Sequence, residues 1–254
     1  MVTDLATAHS TWFHPKVDKC FVPSESLQIQ ARRWGVAESK IALHGLPLRA
    51  SFWDPETRSP KEVREALGFA SGDSGALTAL LVGGGDGVGG IQKIARRIAR
   101  ELGELKESRF NLAVICGKNE AAKLELEQER FPENVHVHVE GFVRNMDEWM
   151  AAADCIVTKA GPGTIAEACT RGLATLCSSA LPGQEVGNLR FVRENKFGYA
   201  FWNPVCKLRR IAKTVAKLFA DQDMRDDFRR NAYVAARPNA TLDIAKGLGD
   251  LLFA

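Results

Sequence analysis

The sequence predicts an α/β protein built on a doubly wound, Rossmann-like parallel sheet. Three observations carry that expectation. From residue 76 onward, short apolar runs alternate with longer stretches whose apolar residues recur at helical spacing. Two junctions between a strand-like run and the helix after it are glycine-rich, GGGDGVGG at 83–90 and KAGPGT at 159–164. The chain has 254 residues, 45% of them hydrophobic, which suffices for one large buried core or two small ones.

Each element follows from its pattern. ALTALLV (76–82) is an apolar strand and IQKIARRIARELGEL (91–105) an amphipathic helix. FNLAVICG (110–117) is the next strand, and NEAAKLELEQERF (119–131) a charged helix. NVHVHVEGF (134–142) alternates strictly, as a strand does. MDEWMAAA (146–153) is a short helix, DCIVTKAG (154–161) a strand, TIAEACTRG (164–172) a helix and ATLCSS (174–179) a strand. QEVGNLRFVREN (184–195) reads as a helix and GYAFW (198–202) as a short edge strand. Three helical stretches close the chain, LRRIAKTVAKLFA, DMRDDFRRNAYVAA and ATLDIAKGLGDLL. Strand and helix in strict alternation place the strands parallel with helices on both faces. Ligands of such sheets lie outside the carboxyl ends of the strands. The loops to inspect therefore follow Val82, Cys116, Val139, Thr158 and Ser178.

The first 50 residues differ. DKCFVPS reads as a strand, ESLQIQARRWG as a helix and KIALHGLP as a second strand. Residues 50–75 are polar with Pro and Gly and read as a linker plus one helix. Two lobes are expected: the tail of an amino-terminal lobe (1–49), the linker (50–75) and the sheet domain (76–254). The opening, MVTDLATAHSTWFHPKVDKC, reads like the inside of a domain, so the chain is expected to be truncated.

Composition excludes several classes. A net charge of +3 leaves no electrostatic footprint for nucleic acid. The six cysteines (Cys20, Cys116, Cys155, Cys169, Cys177, Cys206) form no CxxC pair. Cys116, Cys155 and Cys177 sit in apolar strand-like runs and read as small core residues in a reducing compartment. No apolar run approaches the roughly 20 residues that span a bilayer. His136 and His138 share a strand face, which is half of a metal site at most, so no metal is assigned.

Four loops could carry chemistry. Gly85, Gly87 and Gly90 fit G-x-G-x-x-G, but the next strand ends ICGKN without the carboxylate that a dinucleotide site needs. Here glycine permits close packing of strand on helix, or close approach of a ligand to backbone. At KAGPGT, Gly161 and Gly163 free the backbone around Pro162, and the helix opening beyond them offers unpaired N–H groups to a diphosphate. Lys159 would add charge and Thr164 a hydroxyl. Thr164 and Glu167 also fit a capping box, so a purely structural role stays open. PGQEVGN sets Gln184 and Asn188 four apart with Glu185 between them, a set that suits sugar hydroxyls or simply starts an exposed helix. Phe142 and Val143 follow the alternating strand, where Phe142 either stacks on a base or fills the core. The basic helix KLRRIAKTVAK reads as a solvated face or as a contact for an anionic membrane surface.

Taken together, VTDLATAHSTWFHPKVDKC, HGLPLRASF, LLVGGGDGVGGI, VICGKN, GFVRNMDEWMAAADCIVTKAGPGTIAEA and PGQEVGN resemble the glycolipid glycosyltransferases related to the bacterial peptidoglycan GlcNAc transferase. Within that group the chain is most similar to the monogalactosyldiacylglycerol synthases. The resemblance implies a two-lobed GT-B fold whose carboxyl lobe, here 76–254, binds UDP-galactose. It implies inverting transfer of galactose to diacylglycerol, with no cofactor beyond the donor substrate, at the chloroplast envelope by peripheral contact. By the same resemblance, the diphosphate meets Gly84, Gly85, Gly87 and the loop Gly161–Thr164. Uracil lies near Phe142 and Val143, Glu167 holds the ribose, and Gln184, Glu185 and Asn188 face the sugar. The family's acceptor loop and its proposed catalytic histidine precede VTDL, which leaves His9 and His14 as the histidines to weigh here. Two alternatives stay open: a non-catalytic nucleotide-sugar-binding module, and a transferase using UDP-glucose or UDP-GlcNAc.

Overall fold

The computed structural model describes residues 1–69, 73–83, 90–106, 108–201 and 207–253. Six strands, β3 (Leu77–Val82), β4 (Phe110–Ile115), β5 (Val135–Glu140), β6 (Cys155–Lys159), β7 (Ala174–Ser179) and β8 (Gly198–Ala200), form one sheet in the order β5-β4-β3-β6-β7-β8. Every pairing in it is parallel. The chain starts the sheet at its centre, winds outward to β5, then crosses back to β6. The reversal between β3 and β6 is the topological switch point, where the loops at the carboxyl ends part and leave a crevice.

The helices that connect these strands are α3 (Ile91–Gly103), α4 (Glu120–Glu127), α5 (Met146–Ala151), α6 (Pro162–Thr170) and α7 (Val186–Glu194). Three more, α8 (Lys207–Ala220), α9 (Gln222–Ala235) and α10 (Ala240–Leu252), follow the last strand. Side chains alternate across the sheet, so β3 feeds two cores. Ala79 and Leu81 pack with Ile94 and Ile98 of α3 and with Ile211 and Val215 of α8. Leu80 and Val82 face the other way, onto Phe52, Phe69, Trp149 and Met150. Both faces are covered, which is why the inner strands read as continuous apolar runs. All six strands lie where the periodicity predicts them.

The amino-terminal stretch forms a second, two-stranded parallel sheet. β1 (Cys20–Val22) pairs with β2 (Ile41–Leu43) across α1 (Glu25–Arg33), and these three elements lie where the sequence predicts a strand, a helix and a strand. Ser24 caps α1 by accepting a hydrogen bond from the Leu27 amide. Within 50–75, α2 (Pro60–Ala66) starts with a full capping box between Ser59 and Glu62. Arg64 of α2 is buried and reaches the carboxylate of Asp154 at 2.7 Å and the carbonyl of Ala152 at 2.7 Å. Together with Phe52 and Phe69, it fastens this stretch to the sheet.

Candidate functional site

At the carboxyl ends of β3 and β4, beside the switch point, lies a cleft of about 180 Å³. Phe142 and Val143 line it from the loop after β5, Thr164 and Glu167 from α6, and Arg49 from the stretch before α2. The sequence singled out the first four, and the fold brings them together from two separate loops. Phe142 is 62% exposed, so it is not a core residue. Its ring stands free on the cleft wall, where an aromatic base can stack.

The capping box expected at Thr164 and Glu167 does not form. α6 starts two residues earlier, at Pro162, because proline's fixed φ suits the first helical position. Gly161 is then the N-cap and has no side chain to offer, so no side-chain cap bond is made. Thr164 becomes the third helical residue. The first-turn amides keep their outward orientation and the positive end of the helix dipole. Space is open beside Gly163, where an added Cβ would meet nothing within 4 Å.

Glu167, released from capping, pairs with Arg49 instead, at 2.9 Å from Nη2 and 3.1 Å from Nε. Burial pushes the Glu167 carboxyl above the ordinary carboxylate range, and the Arg49 guanidinium pulls it back. Sequence reasoning missed Arg49. It sits inside the quoted HGLPLRASF, but the signal was the motif as a whole, and nothing in the spacing pairs residue 49 with residue 167.

The second half of the site lies around Lys159 and PGQEVGN. The register of β6 against β7 shifts between Thr158 and Lys159, and Lys159, paired with Ser179 at the end of the strand, is exposed. Its ammonium pairs with Glu185 Oε1, and Glu185 Oε2 accepts a bond from the Leu181 amide at 2.9 Å. Glu185 is only 5% exposed. The helix expected from Gln184 starts at Val186, so Gln184 stands on an exposed turn and does not share a helical face with Asn188. Asn188 is fully buried. Its Oδ1 accepts from the Leu5 amide at 2.8 Å, and its Nδ2 donates to the Ala160 carbonyl at 3.0 Å. Both ends of the amide are thus occupied in tying the amino-terminal segment to the loop before Gly161, and this is a correction to its expected place facing the sugar.

The remaining expectations divide. Gly84, Gly85 and Gly87 lie outside the described residues. His9 and His14 are exposed and locally engaged: His9 Nδ1 caps the turn at Ser10–Trp12, and His14 Nδ1 accepts from the Lys16 amide at 3.2 Å. His136 and His138 do share a face, with rings 4.3 Å apart, but among the described residues no three His, Cys, Asp or Glu side chains converge as metal ligands. A larger cavity, about 650 Å³, opens at the amino ends of β3 and β4, beside Leu77 and Phe110. It holds none of the residues above. No helix N-terminus of a strand-to-helix junction points there, so its volume does not make it the site.

Comparison with known proteins gives a consistent relationship. Residues 78–180 match the glycosyltransferase family 28 C-terminal domain, and residues 1–48 match the family described as monogalactosyldiacylglycerol (MGDG) synthase. The chain is 40% identical over 257 residues to the chloroplastic monogalactosyldiacylglycerol synthase of Spinacia oleracea, covering 99% of this chain and 47% of that protein. It is 38% identical over 255 residues to monogalactosyldiacylglycerol synthase 1 of Arabidopsis thaliana, covering 99% and 46%. It is 39% identical over 256 residues to a probable synthase 2 of Oryza sativa subsp. japonica, covering 99% and 52%. The chain thus spans about half the length of the curated relatives it matches. Among solved structures, Acinetobacter baumannii MurG superposes with a TM-score of 0.63 at 18% identity, covering 91% of this chain and 67% of that one. Anabaena Alr3699/HepE, solved with UDP-glucose, superposes with a TM-score of 0.54 at 14% identity, covering 92% and 64%. At such identities these two report the fold alone.

Proposed function

We propose that this chain is a glycosyltransferase of the monogalactosyldiacylglycerol synthase family, with a GT-B-type fold, that binds UDP-galactose at the switch point and serves inverting transfer of galactose to diacylglycerol. One observation carries the reading. Phe142, Val143, Thr164 and Glu167 line one cleft beside a helix N-terminus that no side chain caps.

Each group then has a task. Uracil stacks on Phe142, and Glu167 accepts hydrogen bonds from the ribose hydroxyls once Arg49 turns aside. The diphosphate lies across the open side of Gly163, where the α6 amides and dipole meet its charge. The hexose extends toward Gln184 and the Lys159–Glu185 pair. Transfer begins when a base takes the proton of the acceptor hydroxyl and the oxygen attacks the anomeric carbon from the face opposite UDP. The bond to the diphosphate breaks in the same displacement, and the helix end stabilises the negative charge that develops on UDP. Such a site needs no divalent cation, so transfer is expected to survive EDTA.

The relatives' names place them in the chloroplast. Among the described residues no helix is long and apolar enough to cross a membrane. Peripheral contact with an anionic envelope surface is therefore the proposed setting. A second reading follows from the chain's spanning half of its relatives: a nucleotide-sugar-binding module without transfer of its own. Calorimetry with UDP and UDP-galactose tests the site, and no detectable binding of either would overturn it. Galactose transfer to diacylglycerol by this chain alone would exclude the binding-only reading. Competition between UDP-glucose and UDP-galactose decides the sugar.

A further inference from the structure

The segment Asp4–Thr7 lies against the start of α7, held by a hydrogen bond and a close packing contact. The Leu5 amide donates to Asn188 Oδ1 at 2.8 Å. Asn188 Nδ2 passes the connection on to the Ala160 carbonyl, next to Gly161, at 3.0 Å. Thr7 packs so tightly on Gly187 that an added Cβ would lie 1.9 Å from its Oγ1, which is why that position takes glycine. The amino-terminal segment is thereby part of the wall around Glu185.

Asp4 is carried into this junction. It is 5% exposed, and its Oδ1 has no hydrogen-bond partner among the described residues. The Asn188 amide and the Glu185 carboxylate both act on it. A buried carboxylate oxygen without a donor lowers folding stability, and native proteins rarely keep one without use. The Asn188 amide lies against the carboxylate while its Nδ2 also donates to the Ala160 carbonyl, and among the described residues no donor reaches Oδ1. Glu185 offers only acceptors, and the Lys159 ammonium is turned to Glu185. Burial, together with the Glu185 charge, pushes the Asp4 carboxyl up against the pull of Asn188, as expected for a carboxylate short of donors.

A hydroxyl-bearing ligand in this corner would provide the donor. We propose that Asp4 is a further sugar-recognition residue, whose unpaired Oδ1 accepts a hydrogen bond from a hydroxyl of the transferred hexose beside Glu185. Two carboxylates flanking one sugar give strict orientation, because each accepts and neither donates. A site built around a buried acceptor also rejects an analogue lacking the matching hydroxyl. This inference rests on the donor-site reading above.

The test separates the two. UDP and UDP-galactose are titrated into the wild-type chain and into Asp4→Asn by calorimetry. The expected result is an unchanged Kd for UDP and a Kd for UDP-galactose raised about 10-fold or more, the loss typical of a hydrogen bond to a charged group. Unchanged binding of both would show that water alone serves Oδ1, and would overturn the proposal. A parallel loss of both would reduce Asp4 to a structural support of the loop, and would overturn it too. Failure of wild type to bind even UDP would overturn the donor site itself, and this inference with it. If Asp4→Asn does not fold, deoxygenated UDP-galactose analogues on wild type give the answer. One analogue is expected to bind at least 10-fold more weakly than the parent, and equal binding by all of them would overturn the assignment.

Discussion

Arg49 and Glu167, 118 residues apart in the chain, meet on the wall of the cleft at the switch point, and both guanidinium bonds fall on one carboxylate oxygen, Oε1. The pair joins the stretch before α2 to α6. The Arg49 guanidinium also opposes the upward push of burial on the carboxyl proposed to hold the ribose.

Arg49→Ala is expected to destabilise the protein at neutral pH and much less in acid. The Glu167 carboxyl is raised by burial, so its ionisation costs stability above its folded pKa. That cost is relieved as pH falls toward the ordinary value near 4.5. Arg49 opposes the rise, and its removal therefore enlarges the cost at pH 7. Arg49 is half-exposed, which limits the effect to about 0.5–1 kcal/mol. Thermal melts of both proteins at pH 7 and pH 4 test this, and a difference that does not shrink in acid would contradict it.

Glu167→Gln separates ribose binding from helix capping. A cap loss costs about 0.5–2 kcal/mol, but Glu167 does not fold back to the start of α6. The variant is expected to match or exceed wild-type stability, because a neutral amide escapes the burial cost. UDP affinity is expected to fall about 10-fold as the paired acceptors are lost. Melting and UDP titration on the same sample check both halves. A stability loss without a binding loss would restore the capping role.

Lys159 and Glu185 form a pair in which the lysine is partly exposed and the glutamate buried. Lys159→Met strands the Glu185 charge and is expected to cost about 1–2 kcal/mol, below the range for fully buried pairs. The double variant Lys159→Met/Glu185→Gln is expected to recover most of that stability. It would still bind UDP-galactose more weakly than wild type. Chemical denaturation of both variants, followed by titration, distinguishes a structural pair from one that also serves the sugar.

The sheet was legible because both of its faces are covered, so its inner strands carry continuous apolar runs, while β5 shows itself by strict alternation. Phe142 and Val143 were legible as a loop after an alternating strand. The errors share one cause: side chains choose partners by proximity in space. Glu167 fits a capping box by spacing, yet Pro162 starts the helix early and Arg49 arrives from elsewhere. Asn188 follows Gln184 by a helical turn, yet α7 starts at Val186 and its amide is spent on Leu5 and Ala160. Asp4 carried no motif of its own beyond VTDL. Only the docking of its segment onto Gly187 and Asn188 reveals a buried carboxylate there.

His138 shows the same limit and yields the last prediction. Strict alternation in VHVHVE puts His136 and His138 on one strand face, and there the His138 ring stacks on Phe69 at 3.7 Å, while its Nε2 has no partner among the described residues. Burial first, and the neighbouring His136 second, lower its pKa to about 4, while Asp73 pulls the other way. Because the folded value lies below the unfolded one, the unfolded chain takes up this proton first. Stability is therefore complete above about pH 6.5 and declines as pH falls through the interval down to about 4. The share due to His138 is up to about 3 kcal/mol, taking the full shift at 1.36 kcal/mol per pKa unit. His138→Phe keeps a ring on Phe69 and removes the titration. It is expected to flatten the loss of Tm between pH 6.5 and 4 while leaving UDP affinity at pH 7 unchanged, since the ring lies outside the nucleotide cleft. An acid limb identical to wild type would show that His138 takes up its proton as readily folded as unfolded.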